Sequence, residues 1–298
     1  MRRCRRPLLL EKPIVKKVTL PAAALLAFAS PADTGGVAVP EFKPLYSLRI
    51  DARNVAYELR VNDIPVLTKD NDASSLTSKF LINPWLVGGR NTLTIRLLPV
   101  EKSTTDPQDP KYCRVVITGP AVNGGPDTTL GRVEVSPAKA AGTAPARAKD
   151  ESFNVILGYP APAWAASEKI GKDAATQKRI LERYREFHRL LENKDLDGVM
   201  RFSAAKLDEF ARSMYDTTFV SLRRQSFQEQ FASPGKLIGI DVQAKDGLRY
   251  EYYFGDRLVS IRNVEDRSII QYYDDDEGVT TEYPLFFYFD GKDFVLIR

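Results

Sequence analysis

The chain has 298 residues, with 43 Lys/Arg against 39 Asp/Glu, one histidine and two cysteines. That scarcity of His and Cys excludes a structural zinc site or a Cys/His nucleophile pair as the organising chemistry. The formal charge of +4 would normally point to an acidic partner, but most of the excess sits in the first segment.

Residues 18–30, VTLPAAALLAFAS, follow Lys16 and Lys17 and contain the small pair Ala27 and Ala29. A cleavable export signal needs a positive stretch, an apolar run of roughly 7–15 residues and small residues at −3 and −1 of the cut. Residues 1–29 therefore read as a signal peptide cleaved near Ala29, which gives a periplasmic or secreted protein. The apolar run is too short to span a bilayer, so no stable membrane anchor is expected. The alternative is a disordered basic tail ahead of a buried strand. Two starts stay open, Met1 and Val15, because Lys16 and Lys17 would follow Val15 as an ordinary signal opening does.

Cleavage changes the charge. Residues 1–29 hold seven of the 43 Lys/Arg and one of the 39 acids, so +4 becomes −2. No Lys/Arg stripe suited to a phosphate backbone remains, and no nucleic-acid partner is expected. Cys113 is then alone, so stability must come from packing; roughly 270 residues suffice for one or two cores.

Between 42 and 164 the pattern is of short alternating strands. Tyr46, Leu48 and Ile50 alternate with Ser47 and Arg49, and Val55, Tyr57, Leu59 and Val61 with Ala56, Glu58 and Arg60. Leu93, Ile95 and Leu97 interleave with Thr92, Thr94 and Arg96, and residues 114–118, 131–135 and 153–157 are further strands. Period-two runs at this spacing predict an antiparallel sandwich. The Ala/Pro/Lys-rich stretch 136–150 reads as a disordered loop within it, and 160–172 as the joint to a second module.

ELRVNDIPV (58–66) followed by FLINPWLVGGRNTLTIRL (80–97) resembles galactose-binding-like jelly-roll domains. There a V-N-G strand end precedes a leu-x-x-G-x-N-x-L-x-V turn and strand. Gly89, Asn91, Leu93 and Ile95 match; Asp63 replaces the glycine. The resemblance covers about 50 residues and implies a fold, with no binding residue carried over.

Residues 174–298 open with helix: Ile180, Tyr184, Phe187 and Leu191 recur at helical spacing. Asp195 is placed to cap a short second helix through Phe202. A longer helical stretch then carries Leu207, Phe210, Ala211 and Met214 on one face. Strands are expected at 237–243, 248–254, 258–263, 269–273, 280–289 and 294–297, with turns at 245–247 and 290–292. Helices first and strands last predict an α+β domain, with helices packed on a curved antiparallel sheet. YREFHRLLENKDLDGVMRFSA (184–204) and FFYFDGKDFVLIR (286–298) resemble the opening and closing hairpin of the nuclear transport factor-like (SnoaL-like) cone fold. Phe294 stands where that family often has tryptophan.

The expected chain is thus two-domain: an all-β antiparallel sandwich at 42–164 and an α+β cone-like domain at 174–298. Its chemistry is sparse. His188 is a general-base candidate only through the SnoaL-like resemblance, and otherwise a histidine at the edge of the core stripe. The acidic run DDDEG (274–278) lacks calcium-loop spacing and reads as a solvated turn. No Gly-rich phosphate loop or G-x-S-x-G elbow is present. No cofactor is expected.

Aromatic residues are the remaining signal. Tyr250, Tyr252 and Phe254 are expected on one strand face with Tyr253 opposite; one set fills the core, and the other meets the first module, a partner or a pocket. Tyr252, Tyr272, Tyr283, Trp85 and Trp164 are the ligand- or partner-binding candidates, the tryptophans as module-interface anchors or sugar platforms. The expected function is non-enzymatic: binding another protein in the periplasm, in one form as an immunity-type inhibitor of a delivered toxin. The alternatives are a carbohydrate or cell-wall binder and a SnoaL-like enzyme using His188.

Overall fold

The structure, a computed structural model, describes residues 42–69, 75–99, 109–121, 125–137, 148–233, 235–244, 247–274 and 279–297. The leader 1–29, most of the 136–150 loop, Lys245, Asp246 and residues 275–278 of the acidic run lie outside them.

Eight strands come first: β1 (Ser47–Arg53), β2 (Ala56–Val61), β3 (Ile64–Lys69), β4 (Leu76–Leu81), β5 (Gly89–Leu98), β6 (Tyr112–Gly119), β7 (Thr128–Val135) and β8 (Ala148–Val155). They form two four-stranded antiparallel sheets, ordered β4-β1-β6-β7 and β3-β2-β5-β8. Alternation turns Leu48 and Ile50, Leu59 and Val61, Leu93 and Ile95, and Val115 and Ile117 inward, and side chains of both sheets join one buried cluster. Each such side chain contributes about 1.5–3 kcal/mol when removed from water. Cys113 belongs to this cluster, and burial pushes its thiol up to about 12, which leaves it unreactive. The expected loop ends earlier than the composition implied: β8 begins at Ala148, where residues 148–150 pair with 94–96 of β5.

Two asparagines fix the ends of β2 and β5. Asn62 and Asp63 both take left-handed backbone, with φ of 53° and 65°, as a two-residue hairpin turn requires. Aspartate tolerates this where the resembled family has glycine, and Arg60 Nη1 holds its carboxylate at 3.0 Å. The Asn62 amide donates to Asn91 Oδ1 (2.7 Å) and to the Trp85 carbonyl (2.9 Å). Asn91 accepts from Val87 N–H (2.9 Å) and donates to the Val87 and Gly89 carbonyls (2.8 and 3.0 Å). The loop carrying Trp85 is thereby set rigidly on the end of the strands.

Four helices come next: α1 (Ala174–Glu192), α2 (Leu196–Phe202), α3 (Ala204–Met214) and α4 (Phe219–Ala232). The α1 stripe is as read, with Ile180, Tyr184, Phe187 and Leu191 all buried. Asp195 caps α2 by accepting from Gly198 N–H at 2.8 Å. The long third helix is instead two. Tyr215 takes left-handed backbone (φ 54°) and ends α3, and Asp216 accepts from Thr218 N–H and Oγ1 (2.8 and 2.7 Å) to turn the chain into α4.

The last part holds β9 (Lys236–Ile238), a single helical turn α5 (Ile240–Gln243), β10 (Leu248–Tyr253), β11 (Leu258–Asn263), β12 (Gln271–Asp274), β13 (Val279–Glu282), β14 (Phe287–Phe289) and β15 (Phe294–Leu296). Sheets are ordered β10-β11-β14-β15 and β13-β12-β9, with antiparallel pairing. Three strand expectations are corrected. Residues 237–243 are half strand and half helix. The expected 269–273 strand starts only at Gln271. The run 280–289 is two strands in different sheets, because Pro284 offers no N–H to a ladder. The turn at 290–292 is as expected: Asp290 accepts from the N–H groups of Lys292 (2.8 Å) and Asp293 (2.7 Å). These contacts hold its carboxyl below the ordinary range.

Candidate functional site

The structure divides the five aromatic candidates among three places. Trp164 and Trp85 meet where the first eight strands touch the later elements. Trp164 is fully buried in a cluster with Ile64, Tyr253, Leu258, Phe286 and Ile297, and Trp85 packs on its side. Trp164 Nε1–H donates to Glu209 Oε1 at 2.9 Å, and its ring meets Phe254 edge-on at 4.9 Å. Trp85 meets Phe210 edge-on at 5.8 Å. Trp164 has no face for a sugar; as a platform for an outside ligand it is corrected by its burial.

The same seam explains the aromatic surplus of β10. Tyr250 and Tyr252 turn toward the helices and Tyr253 toward the first strands, where Arg60 lies over its ring at 5.5 Å. Phe254 was expected beside Tyr252. Its left-handed φ of 50° breaks the alternation and sends it to Trp164. The outer aromatic face of this sheet is therefore covered by the chain itself.

Tyr252 stands apart from the other candidates. Its ring lies under the Lys172 ammonium at 4.9 Å, and Lys172 pairs with Asp256 at 3.0 Å. The Tyr252 hydroxyl is buried without a hydrogen-bond partner among the described residues. Burial, with Tyr252 beside it, raises the neighbouring Tyr250 phenol. Tyr272 and Tyr283 come together beneath the end of α4. Tyr272 Oη donates to the Gln230 and Ser233 carbonyls, both at a long 3.4 Å. Burial pushes the Tyr283 phenol up to about 12, opposed by a hydrogen bond from the Gln230 side chain.

His188 is buried, and its Nε2 lies 3.1 Å from the Ile238 carbonyl. It joins α1 to β9. Tyr184, at the centre of the helix-covered sheet, donates to the Leu285 carbonyl (2.7 Å) and accepts from Ile261 N–H (2.8 Å). Around it, Phe287 packs on Tyr184 (5.3 Å) and Phe202 on Phe187 (5.2 Å). These rings join the aliphatic side chains of the core between helices and sheet.

A surface cleft with no signature in the sequence lies between α1 and α2. It has a volume of about 280 Å³ and is lined by Arg183, Glu186, Leu190, Gly198, Arg201 and Phe202. A Cβ at Gly198 would meet Asp195 Oδ2 at 2.3 Å and Leu190 Cδ2 at 2.5 Å, so the glycine lets these side chains around the α1–α2 turn pack against α2. Arg183 lies over the Phe202 ring at 4.4 Å, donates to Glu186 (2.5 Å) and to the Phe294 carbonyl (3.1 Å). Arg201, on the exposed rim, has no carboxylate within salt-bridge distance among the described residues; its neighbour Asp197 is taken by Arg224 of α4 at 2.6 Å. Next to this rim, α4 leaves Val220 and Leu222 exposed, 39% and 54%, and buries no residue completely. The signal available in the sequence was FVSLRRQSFQEQFA, a helix with apolar residues on more than one face.

Among the described residues no group of three His, Cys, Asp or Glu could hold a metal ion, and no helix is long and apolar enough to cross a membrane. Compared with family models, curated proteins and solved structures, the chain matches none.

Proposed function

We propose that this is an exported protein that works outside the inner membrane by binding another protein, and that it does so without catalysing a reaction. An immunity-type inhibitor of a delivered toxin is the specific form. On this reading residues 42–164 are a jelly-roll sandwich domain of galactose-binding-like type and 174–298 a cone-like α+β domain. The Asn62–Asn91 pair supports the first resemblance, and the order of helices before strands supports the second. The leader-like run ending at Ala29 supports export.

One observation carries the binding reading. The α1–α2 cleft is lined in part by Leu190 and Phe202 and carries a rim cation, Arg201, whose neighbouring carboxylate Asp197 pairs with Arg224. It adjoins a helix that exposes Val220 and Leu222. A cleft of this size holds one large side chain, as binding hot spots do, and the surrounding exposed apolar positions would exclude water around it. Protein is favoured over glycan because both tryptophans are committed to the seam. A non-catalytic role is favoured because the His188 ring and the Tyr184 hydroxyl are engaged by backbone groups.

The test is capture from a periplasmic extract by wild type, Arg201→Glu and Leu222→Asp. Both changes are at exposed positions, and folding is checked by circular dichroism. The proposal expects one protein retained by wild type and reduced roughly tenfold or more by each variant. Equal retention by all three, or none by wild type, would overturn it.

A further inference from the structure

The cleft between α1 and α2 is built around one guanidinium. Arg183 lies over the Phe202 ring, its Cζ 4.4 Å from the centroid. Its Nε donates to the Phe294 carbonyl at 3.1 Å and its Nη1 to Glu186 Oε2 at 2.5 Å, with Asp293 Oδ2 at 3.6 Å from the same nitrogen. Phe202 is held in turn by Phe187 (5.2 Å) and, edge-on, by Phe287 (6.2 Å). The guanidinium is thus fixed along its edge by acceptors and on one side by a ring, and it still lines the cleft.

That arrangement selects what can fill the space. An aliphatic side chain would take the cation out of water without compensation. An aromatic ring compensates, because its π face attracts the cation it covers, and a planar guanidinium stacks on rings where a lysine ammonium does not. Leu190 and Phe202 supply apolar contact for the rest of the ring, and the volume of about 280 Å³ accommodates one.

The charges around the cleft select a neighbour for that ring. Glu186 is committed to Arg183, and Asp197 to Arg224 at 2.6 Å. Arg201 lines the same cleft and is exposed. An acidic group arriving with the ring therefore meets an arginine, whereas a basic one meets carboxylates that are already paired.

We infer that the cleft takes an aromatic side chain of the partner protein, stacked on Arg183, with the next residue of the partner an acid that pairs with Arg201. This rests on the protein-binding reading of the cleft and adds the chemistry of the segment that enters it. Tryptophan, tyrosine and arginine dominate binding hot spots for the same physical reasons.

The probes are three acetylated, amidated tetrapeptides, Gly-Trp-Asp-Gly, Gly-Leu-Asp-Gly and Gly-Trp-Lys-Gly, titrated into the purified protein. The readout is the arginine Nε–H region of ¹⁵N-correlated NMR, with Arg183 and Arg201 assigned through bonds. The Trp-Asp peptide is expected to shift the Arg183 Nε–H upfield and saturably, as a ring stacked on the guanidinium does. The Leu-Asp peptide is expected to bind roughly fivefold more weakly and without that upfield shift. The Trp-Lys peptide is expected to bind about threefold more weakly. Arg201→Gln is expected to remove the difference between the two tryptophan peptides and to keep the preference over leucine. No saturable shift of the Arg183 signal, Leu-Asp binding as tightly as Trp-Asp, or an undiminished preference for Trp-Asp over Trp-Lys in Arg201→Gln would overturn this occupant. Capture by wild type and Arg201→Glu decides the protein-binding reading separately, so a protein captured through the cleft with no aromatic preference would overturn this inference alone.

Discussion

The side-chain amide of Asn62 donates a 2.7 Å hydrogen bond to Asn91 Oδ1 and joins two turns 29 residues apart. Both side chains are buried and nearly every polar atom they carry is used. Removing one therefore strands several partners. Asn91→Ala leaves Val87 N–H, two carbonyls and the Asn62 amide without it. The expected loss is roughly 2–4 kcal/mol, measured by urea unfolding. Because the loop carries Trp85, the Trp85 fluorescence should change as well. A loss near zero would mean that the pair only accompanies the turn.

The Trp164–Glu209 bond tests whether the seam is cooperative. Glu209→Gln keeps an acceptor oxygen and is expected to be nearly neutral. Glu209→Leu leaves the indole N–H unpaired in a fully buried place, at about 1–3 kcal/mol. Trp164→Ala, which also opens a cavity, is expected to cost about 3–5 kcal/mol. Calorimetry should show wild type unfolding in one transition and Trp164→Ala in two, as the strand-rich and helix-containing parts lose their shared surface.

The buried phenols set the behaviour in alkali. Burial pushes Tyr184 and Tyr283 up to about 12 from an ordinary 10.0. Unfolding releases them to ionise at the ordinary value, so their contribution is whole below pH 10 and is lost as pH rises through 12. Absorbance titration at pH 11 should therefore count fewer ionised tyrosines in the folded protein than in urea. Tyr184→Phe should reduce that difference by one residue. Full ionisation of all 13 tyrosines at pH 11 without unfolding would contradict these environments.

Local pattern made much of this fold legible. Alternation placed Leu59, Leu93 and Ile95 inside, helical spacing placed Tyr184 and Phe187, and Asp195 marked a cap. What the pattern hid were local breaks and distant partners. The left-handed residues Tyr215 and Phe254 reverse or rotate the chain without glycine to announce them, and Pro284 splits an apparently continuous strand. Nothing local marks Glu209 for burial; its partner is an indole 45 residues away. The α1–α2 cleft was invisible for a related reason, because its lining comes from two separate helices and not from any local motif. Even so, Leu222, out of phase with Phe227 and Phe231, was readable as a second apolar face.

The most direct measurement is hydrogen–deuterium exchange of the purified protein, alone and bound to the protein it captures. Protection confined to α1 from Arg183 onward, α2 and α4 is predicted, with the β1–β8 strands unchanged. Protection on the sandwich strands with exchange in α2 and α4 unaltered would contradict the assigned surface, and a chain that captures no protein would contradict the function itself.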